Sequence, residues 1–223
     1  MTWKQVFTSS IGKKLVMSFT GIFLILFLII HAGLNACIWA GDNGEMFLKG
    51  AHFMGGNWVP RILEIGLFVG LILHIVQGYM LTVQNKSKRS VGYAVDYGNK
   101  GSKWYSRSMG LLGTIILLFL VIHLANFWYP NRSNQGWLLG EEINLYEKMK
   151  AEFSVLWVVI VYVLGCLSLG YHLAHGFQSA FRTIGVHNNR YINMLKGLGY
   201  SFAIIVPLIF AMMPVSFYLG WVN

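Results

Sequence analysis

Four histidines carry the chemistry that this sequence offers. His31 stands in FLIIHAGLN (27–35) and His123 in FLVIHLANF (119–127), nearly one phrase written twice. His74 opens HIVQGY and His172 opens HLAHGF, a second phrase repeated. A neutral imidazole offers one ring nitrogen as a donor and the other as a proton acceptor or metal ligand. Hydrogen-bonded packing, proton or metal relay, and axial ligation of a metal cofactor are the chemistries to separate. All four lie in stretches without Asp, Glu, Lys or Arg, which run over 15–41, 65–85, 108–131 and 153–181; a fifth such stretch is 197–223.

The elements that must position these residues are membrane-spanning helices. Of the 223 residues 56% are hydrophobic and 11% charged, whereas a soluble domain carries roughly 25% charged residues. Each uncharged stretch reaches the ~20 residues that a bilayer core requires of a helix. The sequence predicts an all-α integral membrane protein with five transmembrane helices, roughly 13–40, 60–85, 106–130, 153–183 and 194–221, in a single domain over 1–223. The first stretch is too long for a signal-peptide core and has no A-x-A cleavage pattern.

Orientation follows from Lys and Arg. With the N-terminus taken as cytoplasmic, one side collects Lys4, Lys13, Lys14, Lys86, Lys88, Arg89, Lys100, Lys103, Arg107, Arg182, Arg190 and Lys196. The other side collects Lys49, Arg61, Arg132, Lys148 and Lys150, with every acid but Asp96. The N-terminus is therefore expected inside and the C-terminus outside. The net charge of +9 reflects this basic inner face, suited to anionic lipid or an acidic partner, and nothing in it suggests nucleic acid.

The chain repeats itself. Laying His123 on His31 also lays Met109 on Met17, Gly113 on Gly21, Phe119-Leu120 on Phe27-Leu28 and Ile122 on Ile30. Laying His172 on His74 aligns the second and fourth helices, so two helix pairs form a parallel repeat and the fifth helix is unpaired. Repeats of this kind commonly build a site at their interface. With a rise of ~1.5 Å per residue, His31 and His123 lie roughly 10 Å from the outer end of outward-running helices. On inward-running helices, His74 and His172 lie roughly 22–27 Å below that surface. Two pairs at two depths result, ~12–17 Å apart along the membrane normal.

Matched pairs argue against packing alone, since polar residues inside membranes are costly and lean functional. Proton relays usually include intramembrane carboxylates, which these helix centres lack. A divalent metal would want carboxylate, Cys or further His at the same depth. Two imidazoles from facing helices can instead fill both axial positions of a haem iron. Iron so saturated has no open position for oxygen or substrate, which fits electron transfer. Cys37 and Cys166 fall in different helices at different depths, and no C-x-x-C-H occurs, so any haem would not be covalently attached.

Gly78 and Gly176 each follow a pair histidine by four residues, on the same helix face. A missing Cβ there admits a flat macrocycle or a close helix contact. Gly21 and Gly113 precede His31 and His123 by ten residues, ~15 Å deeper, which is the depth of the other haem. His175 competes with His172 as a ligand, but the repeat aligns His172 with His74 and His175 with Gln77. His175 is left to propionate contact or helix packing, and Arg182 is a second propionate candidate.

With these residues in place, the chain resembles the cytochrome b membrane anchor of succinate:quinone oxidoreductases (succinate dehydrogenase and fumarate reductase) in its single-subunit, five-helix, di-haem form. The resemblance rests on the four histidines, on GAHFMGGNWVPRILEIG (50–66) and on HLAHGFQSAFRTIG (172–185), and it covers nearly the whole chain. It implies two haem b groups, His31 and His123 on the outer, His74 and His172 on the inner. Flavoprotein and iron–sulfur subunits on the cytoplasmic side are implied as partners, with a membrane quinone, usually menaquinone, as the bound substrate. The setting so implied is a bacterial cytoplasmic membrane. At one position the chain departs from the family. Some members carry an acid two residues before the fourth ligand, proposed for a proton path; here that residue is Gly170, and the resemblance does not carry that path over.

Quinone exchanges protons with its electrons, so its pocket wants a titratable group near the outer pair. Glu64, His52 and Glu45 are candidates, and Asn35 and Asn126 could hydrogen-bond a quinone carbonyl; capping of helix ends is the simpler role for each. The loop QNKSKRS and the cations from Lys100 to Arg107 mark the inner side and could also dock the iron–sulfur subunit. Other readings remain open at this point. They are the anchor of a formate dehydrogenase or hydrogenase, and a haem-free transporter built on buried histidine.

Overall fold

The structure, a computed structural model, describes residues 9–87, 103–135, 142–186 and 188–222. Of the charges that set the expected orientation, Lys4, Lys88, Arg89, Asp96, Lys100 and Glu141 lie outside the described residues. Among the described residues there is no strand. The helices are α1 (Ser10–Ala36), α2 (Glu45–Gly56), α3 (Trp58–Ser87), α4 (Trp104–Arg107), α5 (Met109–His123), α6 (Tyr129–Gln135), α7 (Leu145–Phe153), α8 (Leu156–Thr183) and α9 (Asn189–Tyr218). Five segments are long and apolar enough to cross a bilayer: Ser10–Ala40, Trp58–Asn85, Met109–Asn134, Leu156–Thr183 and Arg190–Tyr218. The protein is an all-α, multi-pass membrane protein. The expected bounds of 106–130 and 194–221 differ by a few residues from those found, because α5 continues through a π turn, Leu124–Trp128, into α6, while α9 begins at its Asn188 cap.

Local chemistry sets the ends. The Ser9 side chain accepts from the Gly12 N–H at 3.0 Å and opens α1. Asn188 does the same for α9 through the Arg190 N–H, 2.9 Å. Each satisfies a donor that the first helical turn leaves without a partner. The 3-10 turn Cys37–Ala40 stops at Gly41, whose φ of 74° a side chain would resist. Two shorter helices, α2 and α7, occupy the face opposite the N-terminus. Asp42 accepts from the N–H groups of Gly44 and Met46 ahead of α2, and Asn144 from those of Tyr146 and Glu147 ahead of α7.

Lipid tails are as apolar as leucine, so helices in a bilayer associate by close packing and interhelical hydrogen bonds. Large apolar residues accordingly point outward, Leu26, Ile29, Val69, Ile72, Leu118, Val121 and Leu164 among them. Inside, α1 packs on α3 and on α8, α5 packs on α8, and α3 meets α5 more sparsely. The four form a ring in the order α1, α3, α5, α8, with α9 laid outside against α8 and α1. Ser18 of α1 donates to the Ala180 carbonyl at 2.5 Å, and Ser168 of α8 to the Leu112 carbonyl at 3.1 Å. Each such bond contributes about 0.6–2 kcal/mol in a membrane. The α8–α9 contact is the most extensive. Pro207 has no N–H, which leaves the Ala203 carbonyl without its partner in α9, and Gly170 of α8 lies against it. A Cβ on Gly170 would stand 3.0 Å from that oxygen.

Candidate functional site

The ring has two diagonals, α1 with α5 and α3 with α8, and a pair of histidines bridges each. Ring centroids of His31 and His123 are 5.8 Å apart, with the planes at 89°. Those of His74 and His172 are 6.2 Å apart, at 64°. Metal–imidazole bonds of roughly 2.0–2.1 Å (the zinc value) on opposite sides of one ion would separate two ring centroids by roughly 6 Å. Among the described residues no three His, Cys, Asp or Glu side chains gather where they could hold a metal ion. A metal between either pair would need its other ligands from a non-protein group, such as a planar macrocycle.

The surroundings of the pairs are apolar and follow the repeat. Phe27 stacks on His31 at 5.1 Å and Phe119 on His123 at 5.7 Å, each from one turn earlier. Phe210 of α9 closes on His31, and Tyr162 and Phe127 on His123. At the second pair, a Cβ on Gly21 would stand 3.7 Å from His74 Cε1, and one on Gly113 would stand 3.9 Å from His172 Cε1. The glycine of each outward helix thus faces an imidazole of the pair nearer the N-terminal face. Gly78 and Gly176 face the methionine pair of the repeat, Met17 and Met109, and a Cβ on Gly176 would also stand 4.0 Å from His172 Cδ2. A flexible thioether fills each space and can move aside for a larger group.

Below His172, toward the N-terminal face, a cavity of about 880 Å³ opens between α1, α4, α8 and α9. His175 and Arg182 both line it, with Lys14, Lys103 and Lys196. Lys103 donates to the Tyr200 hydroxyl at 2.8 Å, and hydrogen bonds to Tyr200 and Tyr105 hold its ammonium above the usual lysine value. Among the described residues no acid lines the cavity, so carboxylates of a bound group would meet cations there.

At the opposite end the candidates divide. Glu64 accepts from Arg61 at 3.2 Å, from Trp128 Nε1 at 2.5 Å and from Arg132, tying α3 to α6. Asn35 lies one turn past His31, donates to its carbonyl at 2.8 Å and stands 3.4 Å from its Nδ1. Asn126 falls in the π turn after His123 and faces Tyr162. Glu45 is set apart, paired with Lys49 at 2.6 Å on the exposed side of α2. His52 is exposed too, 3.0 Å from Glu142, beside a cavity of about 260 Å³ that Asn131 and Asn144 help line. Sequence reasoning missed Trp128, Arg132 and Glu142. Arg61, three residues before Glu64, was visible as a helix-face pair, but the other three come from distant segments.

In comparisons with protein-family models, curated proteins and solved structures, nothing matches this chain. Its own residues therefore carry the functional argument.

Proposed function

We propose that the chain is a di-haem cytochrome b anchor that passes electrons between the iron–sulfur subunit of a succinate dehydrogenase or fumarate reductase and a membrane quinone, menaquinone in the first instance. One observation carries the reading: two histidine pairs, related by the internal repeat, bridge the two diagonals of one helix ring at ligand-like separations. His31 and His123 would hold one haem iron, His74 and His172 the other. When bound, haem would supply a one-electron relay, held through these four imidazoles.

The chain's residues would do the rest. Phe27 and Phe119 keep the first pair dry and fix its rings against rotation. Gly21 and Gly113 leave room at the second pair for a planar group, and His175, Arg182 and the neighbouring lysines would neutralise propionates. At the far end, Glu64 begins ~15 Å nearer the opposite face than His74 by the helix rise. That depth matches His31 and His123. The Glu64–Arg132–Trp128 cluster and Asn35 would form the polar edge of the quinone pocket, where protons leave or arrive.

The test is purification of the complex that contains this chain, with haem b counted per chain by pyridine haemochrome and succinate-driven reduction followed in the same sample. Two haems b per chain, and a covalent flavoprotein among the co-purifying subunits, are expected. A single haem, or none, refutes the reading. Two haems with a molybdenum or nickel–iron partner would move it to another respiratory complex.

A further inference from the structure

The four imidazoles differ in what their second nitrogen meets. Nδ1 of His123 and of His172 is buried without a hydrogen-bond partner. Nδ1 of His31 faces the amide nitrogen of Asn35. His74 alone faces a hydroxyl, Thr20 Oγ1, at 3.2 Å. A threonine hydroxyl has one proton to donate and two lone pairs to accept with. Thr20 directs its proton into its own helix, to the Val16 carbonyl at 2.7 Å, with the Met17 carbonyl at 3.3 Å. Toward His74 it can therefore only accept. That arrangement assigns the proton of His74 to Nδ1 and leaves Nε2 with a bare lone pair. That is the tautomer a metal-ligating imidazole needs.

We propose that Thr20 is a positioning residue for His74. It fixes the tautomer and the ring angle, makes the imidazole a stronger donor through the Nδ1–H bond, and lowers the reduction potential of the iron that His74 would hold. The inference rests on the di-haem reading. A hydrogen-bonded ligand is more basic and favours the ferric state, which is how outer hydrogen bonds tune a metal. The repeat sharpens the point. Gly21 faces His74 as Gly113 faces His172, so the residue matching Thr20 is Leu112. Leucine offers no hydroxyl, and the Leu112 carbonyl is occupied by Ser168. One imidazole of this pair has a hydroxyl at its Nδ1, and its partner does not.

The experiment compares the haem-loaded complex with its Thr20→Val and Thr20→Ser variants by redox titration in the haem absorption bands and by low-temperature EPR. The component of the His74–His172 pair is the one that a His31→Ala variant retains. In Thr20→Val that component is expected to move upward, by up to a tenfold change in the ferrous-to-ferric ratio, about 59 mV for a one-electron couple. Its EPR signal should shift, the other haem should stay in place, and Thr20→Ser should restore both. Loss of this haem in Thr20→Val with recovery in Thr20→Ser supports the same role. Unchanged potentials and spectra in Thr20→Val, or equal effects of Val and Ser, overturn it. An unsubstituted complex without haem overturns the di-haem reading itself, and this inference with it.

Discussion

A single imidazole gives the sharpest test of the reading. His31 and His74 share no partner, so His31→Ala should remove one haem of two and leave the other reducible by succinate. Quinone-linked turnover should fall further than the roughly 10–100-fold that losing an outer hydrogen bond of a metal ligand costs. A stable His31→Ala complex with both haems and full quinone activity would reduce His31 to a packed side chain. Phe119 deserves a separate probe, because it stacks on His123 while pressing on α8. A Cβ on Gly165 would meet its ring at 2.6 Å, so Gly165→Ala should drive Phe119 off His123. Overpacking of this kind costs about 1–3 kcal/mol; thermal unfolding in detergent reads the cost, and on the di-haem reading a shift in the spectrum of a haem held by His31 and His123 would read the displacement. At this scale the histidines were legible because an imidazole among uncharged residues stands out and the repeat pairs each with its twin. Thr20 was not legible, since threonine is common in membrane helices and only the direction of its proton gives it a role.

Among the elements, the packing of α8 on α9 explains a residue that the sequence left as a departure. Gly170 is small because the Ala203 carbonyl, freed by Pro207, comes within 3.0 Å of where a side chain would begin. Gly170→Glu should therefore lose folded protein rather than gain a proton path, and Gly170→Ala should cost about 1–3 kcal/mol by overpacking. Protein yield and thermal unfolding of both variants decide it; a stable Gly170→Glu protein would show that the contact yields. The five crossing helices were readable from uncharged runs, whose length alone meets the bilayer. Helices α2 and α7 were not, though Asn144 followed three residues later by Glu147 is a helix-start signal. Their apolar residues, Phe47, Tyr146, Met149 and Phe153, pack under the ring's end instead of crossing it. The π turn Leu124–Trp128 was invisible for another reason. Its wider winding brings Trp128 and Arg132 round to Glu64, and a pattern counted in ordinary helical turns aims them elsewhere.

For the whole molecule, orientation is the property most exposed to refutation. Lys14, Lys103, Arg182 and Lys196 line one cavity at the N-terminal end, and the positive-inside rule puts that end in the cytoplasm. A single cysteine introduced at Lys103, after removal of Cys37, should react with a membrane-impermeant maleimide only in inverted vesicles. Labelling in intact cells would turn the molecule over and reverse which histidine pair lies nearer the cytoplasm. The diagonal arrangement has a further consequence, in the order of synthesis. Neither histidine pair lies within one half of the sequence: His31 waits for His123, and His74 for His172. A nascent chain that has inserted only its first two crossing helices owns half of each site and no whole one. On the di-haem reading, capture of iron would wait until the second half has entered the bilayer, and the pair that begins second would also close last.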